Sequence, residues 1–194
     1  MLKAETERQV IERARNGDRK AVKQIYDRFS SYLTATCARF ITNENDLRDV
    51  LQDGFVKIFT SLDQFVYRGE GSLKAWARQI MVNQCLKLMR SKRRSVPIMY
   101  EENLKDLEVV EDDDEGPPDI HNVPAEVLQR MIRELPEGYR TVLNLFVVEE
   151  KSHKEIASLL GITESTSASQ FFRARKILAD KLKEYLIKVN NKKK

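Results

Sequence analysis

Two sets of side chains in this 194-residue chain have the types and spacing to grip a polyanion. In "SLKAWARQIMVNQCLKLMRSKRR", helical spacing gathers Trp76, Gln79, Asn83, Lys87, Arg90 and Arg94 on one stripe. Cations hold phosphates, amides reach base edges, and an indole offers a flat face to an unstacked base. Just upstream, "QFVYRGEGS" sets Phe65, Tyr67 and Arg68 beside two glycines, in a loop with room to receive a base. The same stripe fits a core tryptophan with a wet flank beside it, since most tryptophans are largely buried. Both readings stand on the pattern alone.

The second set lies in "SHKEIASLLGITESTSASQFFRARKIL". Ser152 and Glu155 form a capping box at a helix start. Ile156, Leu159 and Leu160 make an inner face, Ala157 is small where a second helix must cross, and Gly161 permits a left-handed turn. Ile162 then plugs the gap between the helices. This is helix-turn-helix spacing, in which the second helix presents its first turns to the major groove. Ser165, Thr166, Ser167, Ser169 and Gln170 are short groups suited to base edges, with Arg173 and Lys176 behind them for phosphate. The competing reading is a hydroxyl-rich helix start that caps without touching DNA.

A third surface is acidic. In "NDLRDVLQDGFVKIFTSLDQF", Leu47, Val50, Leu51, Phe55, Ile58, Phe59 and Leu62 fall on one stripe. Asp46, Asp49, Gln52, Asp53 and Val56 fall opposite. Carboxylates around an exposed valine make a docking face for a basic partner or an ordinary wet helix surface, and spacing leaves both open.

Helices must position these groups. Periodicity predicts about Glu5–Asn16, Arg19–Phe40, Glu44–Asp63 and Leu73–Ser91, then Ala125–Glu134, Gly138–Glu149, His153–Leu160 and Ser165–Val189. Gly17 and Asp18 close the first and cap the second; Asn43 and Ser72 suit N-caps of the next two. No strand alternation is present, so the expected class is all-α, as two helical domains joined by a flexible acidic linker. Residues 1–94 and 124–194 are the domains, and 95–123 the linker, marked by "EDDDEGPPD".

Charge follows that division. The total is +4, yet residues 1–94 carry +8, residues 95–123 carry −9 and residues 151–194 carry +7. Two basic blocks flanking an acidic strap suggest two surfaces for a polyanion. Hydrophobic residues at 41% with no membrane-length apolar run, and no signal-peptide hydrophobic region, lead us to expect a cytoplasmic protein. Cys37 and Cys85 form no CxxC and read as reduced core residues, while His121 and His153 match no metal-ligand spacing. Neither a metal nor a cofactor is expected. Carboxylate–histidine clusters, Ser/His/Asp arrangements and a GxxxxGK[ST] loop are all missing, which argues against a nucleic-acid-processing enzyme.

Together the three segments resemble a bacterial RNA polymerase sigma factor of the extracytoplasmic-function (ECF) group of the sigma-70 family, over nearly the whole chain. The resemblance implies an alternative sigma factor that catalyses nothing itself and binds core RNA polymerase through its largest and second-largest subunits. Asp46, Asp49, Gln52, Asp53 and Val56 would dock on the clamp helices of the largest subunit. The loop from Phe65 to Ser72 would hold a flipped base of the minus-ten element and Asn83 would reach the opening strand. "LPEGYRTVLNLFVVEEKSHKEIASLLGITESTSASQFFRARKIL" resembles the minus-thirty-five reader. Where Ser167 stands family members often have valine, where Ala168 stands lysine, and at Gln170 often arginine. Groove contact here therefore rests on hydroxyls, Gln170 and Arg173. Promoter DNA and, commonly in this family, an anti-sigma factor are the implied partners. A stand-alone helix-turn-helix repressor or activator remains the rival reading, distinguished by tight duplex binding without polymerase.

Overall fold

The computed structural model describes residues 5–95 and 123–191, and all regular structure among them is helical. The helices are α1 (Glu7–Arg15), α2 (Arg19–Ala38), α3 (Glu44–Thr60), α4 (Ser72–Ser95), α5 (Ala125–Arg133), α6 (Glu137–Val147), α7 (His153–Leu160) and α8 (Glu164–Asn191), with a short 3-10 turn at Leu62–Gln64. They fall into two units, residues 1–91 and 92–194. The acidic strap expected over 95–123 lies outside the described residues except at its ends, Ser95 and Val123.

In the first unit, local signals set the helix ends. Asp18 accepts from the Lys20 amide at 2.8 Å, and Asn43 from the amides of Asn45 and Asp46. Gly17 makes the connection at φ +81°, where a β-carbon would be strained. Thr6 and Gln9 form a capping box at α1. Ser72 departs from expectation: it is the first residue of α4 and donates its hydroxyl to the Gly69 carbonyl at 2.6 Å, rather than capping. Ile11, Ile25, Phe29, Leu33, Ile58, Leu73 and Met81 fill the core. Each such side chain gains about 1.5–3 kcal/mol on burial. α1 packs on α2, and α2 on α3. Met81 of α4 occupies the space where a β-carbon at Gly54 of α3 would stand, so this glycine lets the two helices approach closely. Val82, Leu86 and Met89 are buried too, making the covered side of α4 wider than its single stripe predicts.

The second unit packs α6 and α7 against α8. Leu135, Leu143 and Ala174 form a cluster, joined by Ile132, Tyr139, Phe171, Ile177 and Leu178. Arg140 is buried, and one terminal nitrogen donates to the carbonyls of Arg133 and Leu135 at 3.1 and 2.9 Å. It thus serves acceptors at the end of α5 that the helix itself leaves unpaired. No helix among the described residues is long and apolar enough to cross a membrane.

Candidate nucleic-acid and polymerase interfaces

The acidic face of α3 is held outward by aromatic packing behind it. Phe55 meets Tyr26 of α2 at 4.7 Å between ring centroids and Phe59 at 6.2 Å, which seats α3 on its neighbour. Asp49, Gln52 and Asp53 are exposed, Asp46 is half-buried, and Val56 is 57% exposed. An uncovered valine amid carboxylates combines an apolar contact with long-range attraction for cations.

The loop before α4 differs from its expectation in one residue. Phe65 is only 5% exposed and packs on Trp76 at 5.1 Å, the ring planes tilted by 45°. It cannot itself stack on a base; it supports the half-buried indole that can. The apolar group at the loop's surface is Val66, 67% exposed, which residue pattern did not single out. Tyr67 is half-buried and Arg68 exposed. Along α4, Asn83, Lys87 and Arg90 are exposed on one flank, and Gln79 donates to the Asn83 side-chain oxygen at 3.2 Å. That bond orients the Asn83 amide and leaves its nitrogen able to donate outward. The side chain of Arg94 lies outside the described residues.

In the second unit α7, the turn and α8 form the predicted helix-turn-helix. Ser152 and Glu155 cap α7 reciprocally: the Glu155 amide donates to the serine hydroxyl and the Ser152 amide to the Glu155 carboxylate. The Ser152 amide, then its hydroxyl, hold the Glu155 carboxyl below its ordinary value. Gly161 sits at φ +67°, and the amides of Gly161 and Ile162 both donate to the Ala157 carbonyl. The cap of α8 is Thr163, whose hydroxyl accepts from the Thr166 amide at 3.0 Å and lies 2.9 Å from that of Ser165. A Thr three residues before Thr166 was the available signal for it.

The head of α8 therefore divides. Ser165 and Ser169 are exposed, Thr166 and Gln170 half-buried, and Lys176 exposed. Gln170 leans toward the start of α6, where a β-carbon at Gly138 would approach its side-chain oxygen to 3.3 Å. Arg173 places a guanidinium nitrogen 3.5 Å from the Tyr139 hydroxyl. Ser167 is a correction: it is 0% exposed, its hydroxyl 2.9 Å from His153 Nδ1, and cannot reach a base from there. His153 is in turn stacked on Phe146 at 4.6 Å and tilted against Phe171 at 5.7 Å. It is a packing residue. Among the described residues no cluster of His, Cys, Asp or Glu is placed to hold a metal ion.

Residues 25–95 match the family model for sigma-70 region 2, and residues 125–178 match that for sigma-70 region 4. The chain is 26% identical over 188 residues to the ECF RNA polymerase sigma-E factor of Haemophilus influenzae, covering 91% of this chain and 95% of that one. It is 27% identical over 193 residues to the RNA polymerase sigma-H factor of Pseudomonas aeruginosa, covering 96% and 98%. A solved structure of the sigma factor RpoE bound to the anti-sigma factor NepR from Bartonella quintana is similar at 23% identity and a TM-score of 0.47, covering 83% of this chain and 96% of that one.

Proposed function

This chain belongs to the sigma-70 family, and from that premise we propose that it is an alternative sigma factor of the ECF group, which binds core RNA polymerase and directs it to promoters. The observation that carries the reading is the order of the two family matches, region 2 then region 4, each falling on its own helical unit. Core polymerase, promoter DNA and a sequestering anti-sigma protein are the partners it assigns. The work is done in the cytoplasm, and the chemistry of RNA synthesis belongs to the polymerase.

Residues 1–94 take the polymerase and minus-ten role, residues 95–123 link, and residues 124–194 take the minus-thirty-five role. The exposed face of Asp49, Gln52, Asp53 and Val56, with Asp46 at its edge, docks on the largest subunit. A base flipped from the minus-ten element enters between Val66, Tyr67 and Trp76, while Arg68, Asn83, Lys87, Arg90 and Arg94 follow the strand. Flipping costs a few kcal/mol, offset by stacking and phosphate neutralisation. In the upstream groove Ser165, Ser169 and Gln170 meet base edges, Thr166 lies at the margin, and Arg173 and Lys176 meet phosphates.

Run-off transcription with purified core polymerase on a randomised promoter library tests this. The expected result is enrichment of two sequence blocks in the transcribed pool; core alone and core with this chain giving the same pool would overturn it. A footprint on a selected promoter that needs no core would favour the stand-alone regulator instead.

A further inference from the structure

The loop between α3 and α4 is tied at both ends by one helix, α1, which neither family match covers. At the near end, Arg15 donates from Nε to the Leu62 carbonyl at 3.1 Å and from a terminal nitrogen to the Phe65 carbonyl. At the far end, Glu7 Oε1 accepts from the amides of Gly71 and Leu73 at 3.2 and 3.4 Å. Those amides open α4 and have no partner within the helix, so a carboxylate there serves orphan donors at the positive end of the helix dipole.

The far anchor is deep. Glu7 is 2% exposed; its second oxygen makes no hydrogen bond and faces the Arg28 guanidinium at 3.9 Å. Arg28 also bonds Glu70 in the loop at 3.1 Å. Along this loop, Gly69 and Gly71 run at φ +122° and +85°, a backbone that side-chain-bearing residues rarely adopt. Left to itself, such a stretch samples many conformations. A carboxylate is costly to bury, and the return here is a loop tied to a rigid helix.

We propose that α1 braces the base-receiving loop, with Glu7 and Arg15 as positioning residues for promoter opening; this rests on the sigma-factor reading above. Neither side chain touches DNA. They hold Val66, Tyr67 and Arg68 in one geometry, so that ordering the loop is not charged against base capture.

The test uses holoenzyme on a promoter taken from the library selection, with 2-aminopurine in the minus-ten element. For Glu7→Ala and Arg15→Ala the expected opening, read as fluorescence, falls about tenfold, the loss expected for one charge-assisted hydrogen bond. Affinity for core polymerase stays at the wild-type level. Glu7→Gln keeps an acceptor for both amides and restores most of the opening. Hydrogen exchange gives a second readout, with the Gly71 and Leu73 amides protected in wild type and released in Glu7→Ala. Alanine variants that open like wild type, a parallel loss of core affinity, or unprotected wild-type amides would each overturn the brace. A wild-type chain that opens nothing would overturn the sigma-factor reading itself.

Discussion

Ser167 and His153, fourteen residues apart, share a 2.9 Å hydrogen bond between Oγ and Nδ1 inside the helix-turn-helix unit. The ring stacks on Phe146 and tilts against Phe171, whose rings lie 4.4 Å from each other, so the pair joins α6, α7 and α8 at one point. The Ser167 position faces inward, and a buried serine is accommodated there because a histidine across the turn satisfies its hydroxyl.

Ser167→Ala should therefore act on stability and Gln170→Ala on selectivity. Losing one buried hydrogen bond costs about 1–2 kcal/mol, seen as a lower urea midpoint of the second unit. Promoters selected from a library randomised at the minus-thirty-five element should be unchanged for Ser167→Ala and altered for Gln170→Ala. The opposite assignment would place Ser167 in the groove.

Reversing a charge or removing the exposed apolar contact on α3 should uncouple the chain from polymerase. Asp53→Lys and Val56→Asp alter exposed groups outside the core, so thermal melting should stay near wild type, within about 0.5 kcal/mol. Affinity for core polymerase, titrated by fluorescence anisotropy, should fall at least about tenfold. Wild-type affinity in both variants would remove α3 from the interface.

Arg90 is exposed on the flank of α4. If it neutralises one phosphate, Arg90→Ala should make the log–log salt dependence of holoenzyme binding shallower by roughly 0.7–0.9. The measurement is promoter affinity across a salt series, and an unchanged slope excludes a phosphate contact by this side chain.

Acid should weaken the second unit through Glu155. Its carboxyl is held below the ordinary 4.5 by hydrogen bonds from Ser152, and that of Glu134 is lowered chiefly by its hydrogen bond from Lys181. A depressed carboxylate contributes stability that is full above its unfolded value and disappears as pH falls through the folded one. Urea midpoints of wild type should exceed those of Glu155→Gln at neutral pH and converge with them below the folded value. A gap that persists in acid would mean the cap does not depend on charge.

Much of this was legible in the chain because its causes are local. Ser152 and Glu155 are three residues apart, Gly161 ends α7 through its own backbone, and the apolar period of α3 repeats every turn. Such signals survive without knowing what packs where. They placed α7 exactly at His153–Leu160 and the other helix ends within a few residues. The acidic face of α3 and the cationic flank of α4 followed from the same arithmetic of a hundred degrees per residue.

What tertiary structure alone decided is which side of each surface residue is up. Phe65 and Ser167 have the right type for nucleic acid and the wrong exposure, because Trp76 and His153 come from elements whose approach no local pattern encodes. By local pattern Glu7 is only a charge at the head of an amphipathic helix. Only the fold carries it 64 residues along the chain to the Gly71 amide, where burial turns a solvated carboxylate into an anchor. Propensity and capping act within a turn or two of helix, whereas burial depends on the meeting of faces far apart in sequence.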